Sequence, residues 1–122
     1  MRSDNVIQAK SYAFALRIVK LYLYLKDAKH EYTLGQQILR CGTSVGANIE
    51  EAIGGQSDKD FLSKISIAYK EAREAHYWLR LLADSGFITP DQKDSLIIDC
   101  EEILKIIGSI QKTMKQKMRN LK

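Results

Sequence analysis

Residues 58–85, DKDFLSKISIAYKEAREAHYWLRLLADS, decide the architecture. Within them Phe61, Ile65, Ala68, Ala72, Ala75, Leu79 and Leu82 recur at steps of four, three, four, three, four and three. That rhythm keeps apolar side chains on one side of an α-helix for three heptads, whereas a half-buried strand would alternate every second residue. The run predicts a helix over about 57–85. Ser57 or Asp58 caps its start, and Ser85-Gly86 stops it.

Working outward, Thr89-Pro90-Asp91-Gln92 is a helix start: a cap, proline in the first turn, an acid near the positive pole and a glutamine placed for a capping box. Leu96, Cys100, Ile103, Ile107, Ile110, Met114 and Met118 continue it to about residue 118. Upstream, Gly54-Gly55 ends a helix over about 33–54, with Leu34, Ile38, Cys41, Val45, Ile49 and Ala52 on its inner face and a Thr33–Gln36 capping box at its start. Gly42, Thr43, Ser44 and Gly46 are poor helix formers in its interior, each glycine costing about 1 kcal/mol against alanine. Such small residues allow a neighbouring helix to approach closely. A first helix over about 4–29, capped by Asp4 or Asn5, carries Ile7, Phe14, Ile18, Leu21 and Leu25, with Ser11 in the gap. It also carries a second stripe, Tyr12, Leu16, Val19 and Leu23, and a helix apolar on two sides is usually buried on two sides.

Four long helices with connections of a few residues must run antiparallel to their chain neighbours. The three-four rhythm favours crossing near 20°. The expectation is an all-α, up-down-up-down four-helix bundle with left-handed coiled-coil-like packing, forming a single domain over residues 1–122.

Composition narrows the function. A chain of 122 residues, 45% apolar and 28% charged, can bury a core without disulfide or metal. Cys41 and Cys100 lie far apart on apolar stripes, which reads as two reduced, buried thiols. The first residues, MRSDNVIQAK, contain no apolar core of a signal peptide, and no apolar run is long enough to span a membrane, so a cytoplasmic location is expected. The nearest approach to a Glu-x-x-His metal motif is Asp27-Ala-Lys-His30 at a helix end, and His76 is preceded three residues earlier by Arg73. No metal, no cofactor and no catalytic site are expected.

Two features stand out. Charge is loaded at one end: up to Glu102 there are thirteen cations and fifteen acids, net −2, while the last twenty residues hold Lys105, Lys112, Lys115, Lys117, Arg119 and Lys122 with no acid, net +6. This suits an anionic partner, or simply a solvated helix end whose cations favour the negative pole of the dipole. On the second helix, Gln37, Arg40, Ser44, Asn48 and Glu51 form a polar group, the last four along one face. Asn48 lies beside the buried seam, so the group reads first as a structural hydrogen-bond network and second as a ligand site. Tyr77, Trp78 and Arg80 would stack nucleic-acid bases, or plug a bundle end or a subunit interface. Tyr22, Leu23 and Tyr24, with Ile97, Ile98, Leu104 and Ile106, leave more apolar area than one bundle core uses, as an interface would.

The second helix also carries a family resemblance. Leu34, Gln37, Arg40, Ser44, Asn48, Ile49 and Glu51 follow a pattern of the form Leu-x-x-Gln-x-x-Arg, then Ser-x-x-x-Asn-Ile-x-Glu. The chain resembles bacterial four-helix-bundle proteins encoded within 23S ribosomal RNA intervening sequences, a group that includes the accessory variability protein of diversity-generating retroelements. The family's glycine after the motif glutamate is replaced by Ala52, with Gly54-Gly55 later, so the helix should run slightly further. The resemblance implies a homopentamer with a basic surface that binds RNA or DNA, and in retroelements a reverse transcriptase as partner. The expected function is thus a non-enzymatic, oligomeric nucleic-acid-binding scaffold. The rival is a protein–protein interaction adaptor that binds no nucleic acid.

Overall fold

A computed structural model describes residues 2–120, with side chains from Val6 to Asn120. It holds four helices: α1 (Arg2–Lys29), α2 (Thr33–Ile53), α3 (Asp58–Asp84) and α4 (Pro90–Asn120). Among the described residues there is no strand. Each helix packs on two others in the cyclic order α1, α2, α3, α4, and no Cα atoms of a diagonal pair come within 8 Å of each other. Contacts across every seam run in opposite chain directions. Lys64 meets Glu51 while Glu71 and Glu74 meet Arg40, and Ser66 meets Gln111 while His76 meets Glu101. Neighbouring helices are therefore antiparallel, which is the up-down-up-down bundle.

The core is the predicted one. Ile7, Ser11, Phe14, Ile18, Leu21 and Leu25 of α1 are buried, as are Ile65, Ala68, Ala72, Ala75, Leu79 and Leu82 of α3. Phe61 and Leu34, placed on the inner stripes, are only half-buried at the edge of the core. The glycines of α2 set the α1–α2 spacing. A Cβ on Gly42 would fall 2.8 Å from both Ile18 Cγ1 and Cγ2, and one on Gly46 would lie 3.4 Å from the Ser11 carbonyl oxygen. Glycine's cost in helix propensity is offset there by close helix contact.

The helix ends depart from expectation at two places. The first helix already begins at Arg2, so Asp4 and Asn5 lie inside it and neither is its cap. At α2 the Thr33–Gln36 capping box does not form. Tyr32 is the N-cap without a side-chain bond, and the Glu31 carboxylate accepts from the Leu34 and Gly35 N–H groups instead. A negative carboxylate is the stronger partner for amides at the positive pole of a helix. His30, at φ 53°, turns the chain so that Glu31 reaches them. The other ends agree with the sequence. The Ser57 hydroxyl accepts from the Asp60 N–H. Thr89 and Gln92 exchange both bonds of a capping box, at 2.8 and 3.1 Å. Gly54 follows the last residue of α2, with Ala52 inside the helix and buried. Gly86, at φ 82°, closes α3 in a Schellman turn: its N–H bonds to Ala83 O and that of Phe87 to Leu82 O.

Candidate functional site

Four groups of side chains are candidates for function. The first is the polar group of α2. Its residues share a face, but the neighbouring helix divides them. Arg40 reaches Glu71 at 3.3 Å and Gln37 Oε1 at 3.2 Å, and it pairs with Glu74. Glu74 also accepts the Trp78 indole N–H at 2.9 Å. Glu51 pairs with Lys64 at 3.3 Å. Asn48 is buried at 8% exposure, and its amide donates to Ser44 O and Oγ at 2.9 and 3.0 Å, within its own helix. The expected single line is thus two ties to α3 and one internal clasp. These bonds dock α2 on α3. Trp78, considered above as a stacking surface, is half-buried and held in that tie.

The second group is cationic. Lys105, Lys112, Lys115 and Arg119 are all exposed on the outer side of α4. Their steps of seven, three and four place them along one stripe roughly 21 Å long at 1.5 Å per residue. None of them joins an ion pair among the described residues. Lys117 faces another way and pairs with Asp58 of α3 at 3.3 Å. Lys122 lies outside the described residues. Helix-dipole stabilisation fades within the last turn, so it accounts for Lys117 and Arg119 but not for Lys105 or Lys112.

The third group was not evident as a unit in the sequence. Arg73, His76, Tyr77 and Arg80 of α3 border Glu101 and Leu104 of α4 around a groove of about 650 Å³. The Arg80 guanidinium lies 5.9 Å from the Tyr77 ring centre, its Nε–H donates to His76 Nδ1 at 3.1 Å, and His76 Nε2 lies 3.5 Å from Glu101. The signal was present, since these residues occupy the flank of the α3 heptad beside its core positions. Only the neighbouring helix shows which flank is lined with α4 side chains.

The fourth group is apolar. The second stripe of α1 stays uncovered among the described residues: Tyr12 is 64% exposed and Leu16, Val19 and Leu23 are exposed with it. Ile98 on the adjacent α4 is 66% exposed. Ile97, Leu104 and Ile106, counted as surplus from the sequence, instead pack half-buried against the core.

Neither thiol is poised for chemistry. Burial pushes both Cys41 and Cys100 up to about 12, and both are free. Among the described residues no group of three His, Cys, Asp or Glu side chains gathers to hold a metal, and no helix is long and apolar enough to cross a membrane.

Comparisons with known proteins place this geometry. The family model described as 23S rRNA-intervening sequence protein matches residues 3–109. A crystal structure of a protein of unknown function from the S23 ribosomal protein family, from Bacteroides thetaiotaomicron, is 49% identical. The match covers 90% of this chain and 98% of that one, with a TM-score of 0.89. No curated protein matches the chain.

Proposed function

The chain belongs to the 23S rRNA-intervening sequence protein family, and from that premise we propose that it is a non-enzymatic, oligomeric scaffold that binds RNA or DNA through the outer face of α4. The observation that carries the reading is the stripe of Lys105, Lys112, Lys115 and Arg119. It is exposed, without acid partners among the described residues, and only partly explained by the helix dipole. A polyanion would release counterions from such a stripe. The uncovered apolar stripe on α1 supports assembly, since Tyr12, Leu16, Val19 and Leu23 repeat at a heptad-like spacing and nothing among the described residues buries them. A homopentamer would array five cationic faces around one particle. Work in the cytoplasm, beside ribosomal RNA or a reverse transcriptase, is part of the same proposal.

Two measurements test it. The assembled mass should be roughly five times the 13.9-kDa chain. Binding of labelled RNA or DNA should be strong at low salt and fall steeply as salt rises. A monomer that ignores both nucleic acids would overturn the scaffold. The apolar α1 face alone favours a second reading, an adaptor for another protein, and a nuclease-resistant complex from a pull-down would support that reading over the first.

A further inference from the structure

This inference rests on the nucleic-acid reading and narrows it to a place and a form of ligand. Gly108 is the starting point. It stands in the middle of the 31-residue α4, where glycine is the poorest helix former after proline. Gly42 and Gly46 have a reason within the chain, because α1 presses on them. Gly108 has none: a Cβ there would meet nothing within 4 Å. Yet it sits in the cationic stripe, and Lys105, Gly108, Lys112, Lys115 and Arg119 step by three, four, three and four. With Gln111 and Gln116 it lines an open groove of about 520 Å³. The missing side chain leaves a dip in which an anion can approach the helix axis between flanking cations.

A second groove lies one turn further up α4. Glu101, Leu104, Gly108, Gln111 and Lys115 run down one flank of α4, facing α3. Glu101 and Leu104 also border the groove holding Arg73, Tyr77 and Arg80. The pairings of His76 with Glu101 and of Ser66 with Gln111 mark the α3–α4 seam, and the α4 residues of the two grooves follow one another along its flank. Of the acids along this track, Glu74 is held by Arg40 and Trp78, and Glu101 lies 3.5 Å from His76, a charge pair only when the imidazole is protonated.

We infer that the α3–α4 seam is a track for single-stranded nucleic acid, its phosphates lying over Gly108 among the α4 cations and a base reaching Tyr77 beside Arg73 and Arg80. Tyr77 is exposed, and Arg80 lies against its ring. A free base can add to that stack, whereas a duplex keeps its base faces covered.

The test uses the full chain at low salt with labelled single-stranded RNA, single-stranded DNA and a duplex of the same sequence. Single strands should bind about tenfold more tightly than duplex, and the RNA and DNA arms tell which backbone is preferred. Gly108→Ala should raise the melting temperature by roughly 3 °C or more while weakening binding several-fold, opposite signs that a purely structural glycine would not give. Tyr77→Ala and the Arg73→Gln/Arg80→Gln pair should each lose about tenfold on single strands, with Lys117→Gln nearly unchanged. Unchanged affinity in Gly108→Ala and Tyr77→Ala, or equal binding of duplex, overturns the track while leaving nucleic-acid binding standing. A fall in assembled mass in Gly108→Ala assigns the dip to a second copy of the chain and also overturns it. Displacement by polyglutamate as effective as by an unlabelled single strand would point to an acidic protein partner instead. No binding of any nucleic acid removes the scaffold reading itself.

Discussion

Helices α1 and α4 each carry a core stripe and a second stripe on the opposite side, and the two second stripes differ in kind. On α1 it is Tyr12, Leu16, Val19 and Leu23; on α4 it is Lys105, Lys112, Lys115 and Arg119. Both point away from the subunit's own core, and both keep near-heptad spacing. Folding explains neither. Exposed apolar side chains in a row call for another protein surface, and exposed cations in a row call for an anion. On the proposed function, the contrast separates two tasks on one bundle: α1 for assembly, α4 for ligand.

The largest effect should come from breaking the α1 stripe. Replacing Leu16 and Leu23 with aspartate should abolish assembly, because charges buried without partners cost several kcal/mol each. Circular dichroism should stay helical, since neither residue is in the core. An unchanged particle mass would remove the division of labour. Next, changing Lys105, Lys112, Lys115 and Arg119 to glutamine should weaken nucleic-acid binding by about a hundredfold and flatten its salt dependence by about three in log–log slope. Lys117→Gln sharpens the comparison, because this cation is already paired with Asp58 and should matter little to binding.

A smaller effect is expected inside the bundle. Gly42→Ala forces a Cβ onto Ile18, a stiff β-branched side chain. Overpacking of about 1–3 kcal/mol, offset by about 1 kcal/mol of helix propensity, should leave a net loss of up to about 2 kcal/mol in denaturant unfolding. A stabilised variant would mean that α1 yields at that contact. The smallest effect is alkaline. Burial pushes the folded thiols of Cys41 and Cys100 up to about 12, against 9.0 for an ordinary thiol. The unfolded chain therefore releases protons first, so this contribution to stability is full below pH 9 and fades as pH climbs from there toward 12. Iodoacetamide at pH 8 should spare the native protein and label it in urea; labelling at equal rates would contradict the burial of both thiols.

Much of the fold was legible in the chain. The α3 heptad identified Ile65 to Leu82 as core, and the Thr89-Pro90-Asp91-Gln92 start at α4 formed as read. Even Gly42 and Gly46 were readable as a close helix contact. The polar group on α2 was only half legible. Its residues share a face by periodicity, but Arg40 turns to Glu71 and Glu74 while Asn48 folds back on Ser44. At α2 the capping-box pattern misled, because Glu31 lies outside the motif and reaches the amides through the turn at His30.

The sequence alone determined where the helices run and which side of each is apolar, because helical periodicity is a local property of the backbone. Tertiary structure decided that both second stripes stay bare, that Lys117 leaves the cationic row for Asp58, and that Arg73, Tyr77 and Arg80 meet the flank of α4. Those outcomes depend on which helix stands beside which and in what register. A period of 3.6 residues states what shares a face but not what that face meets.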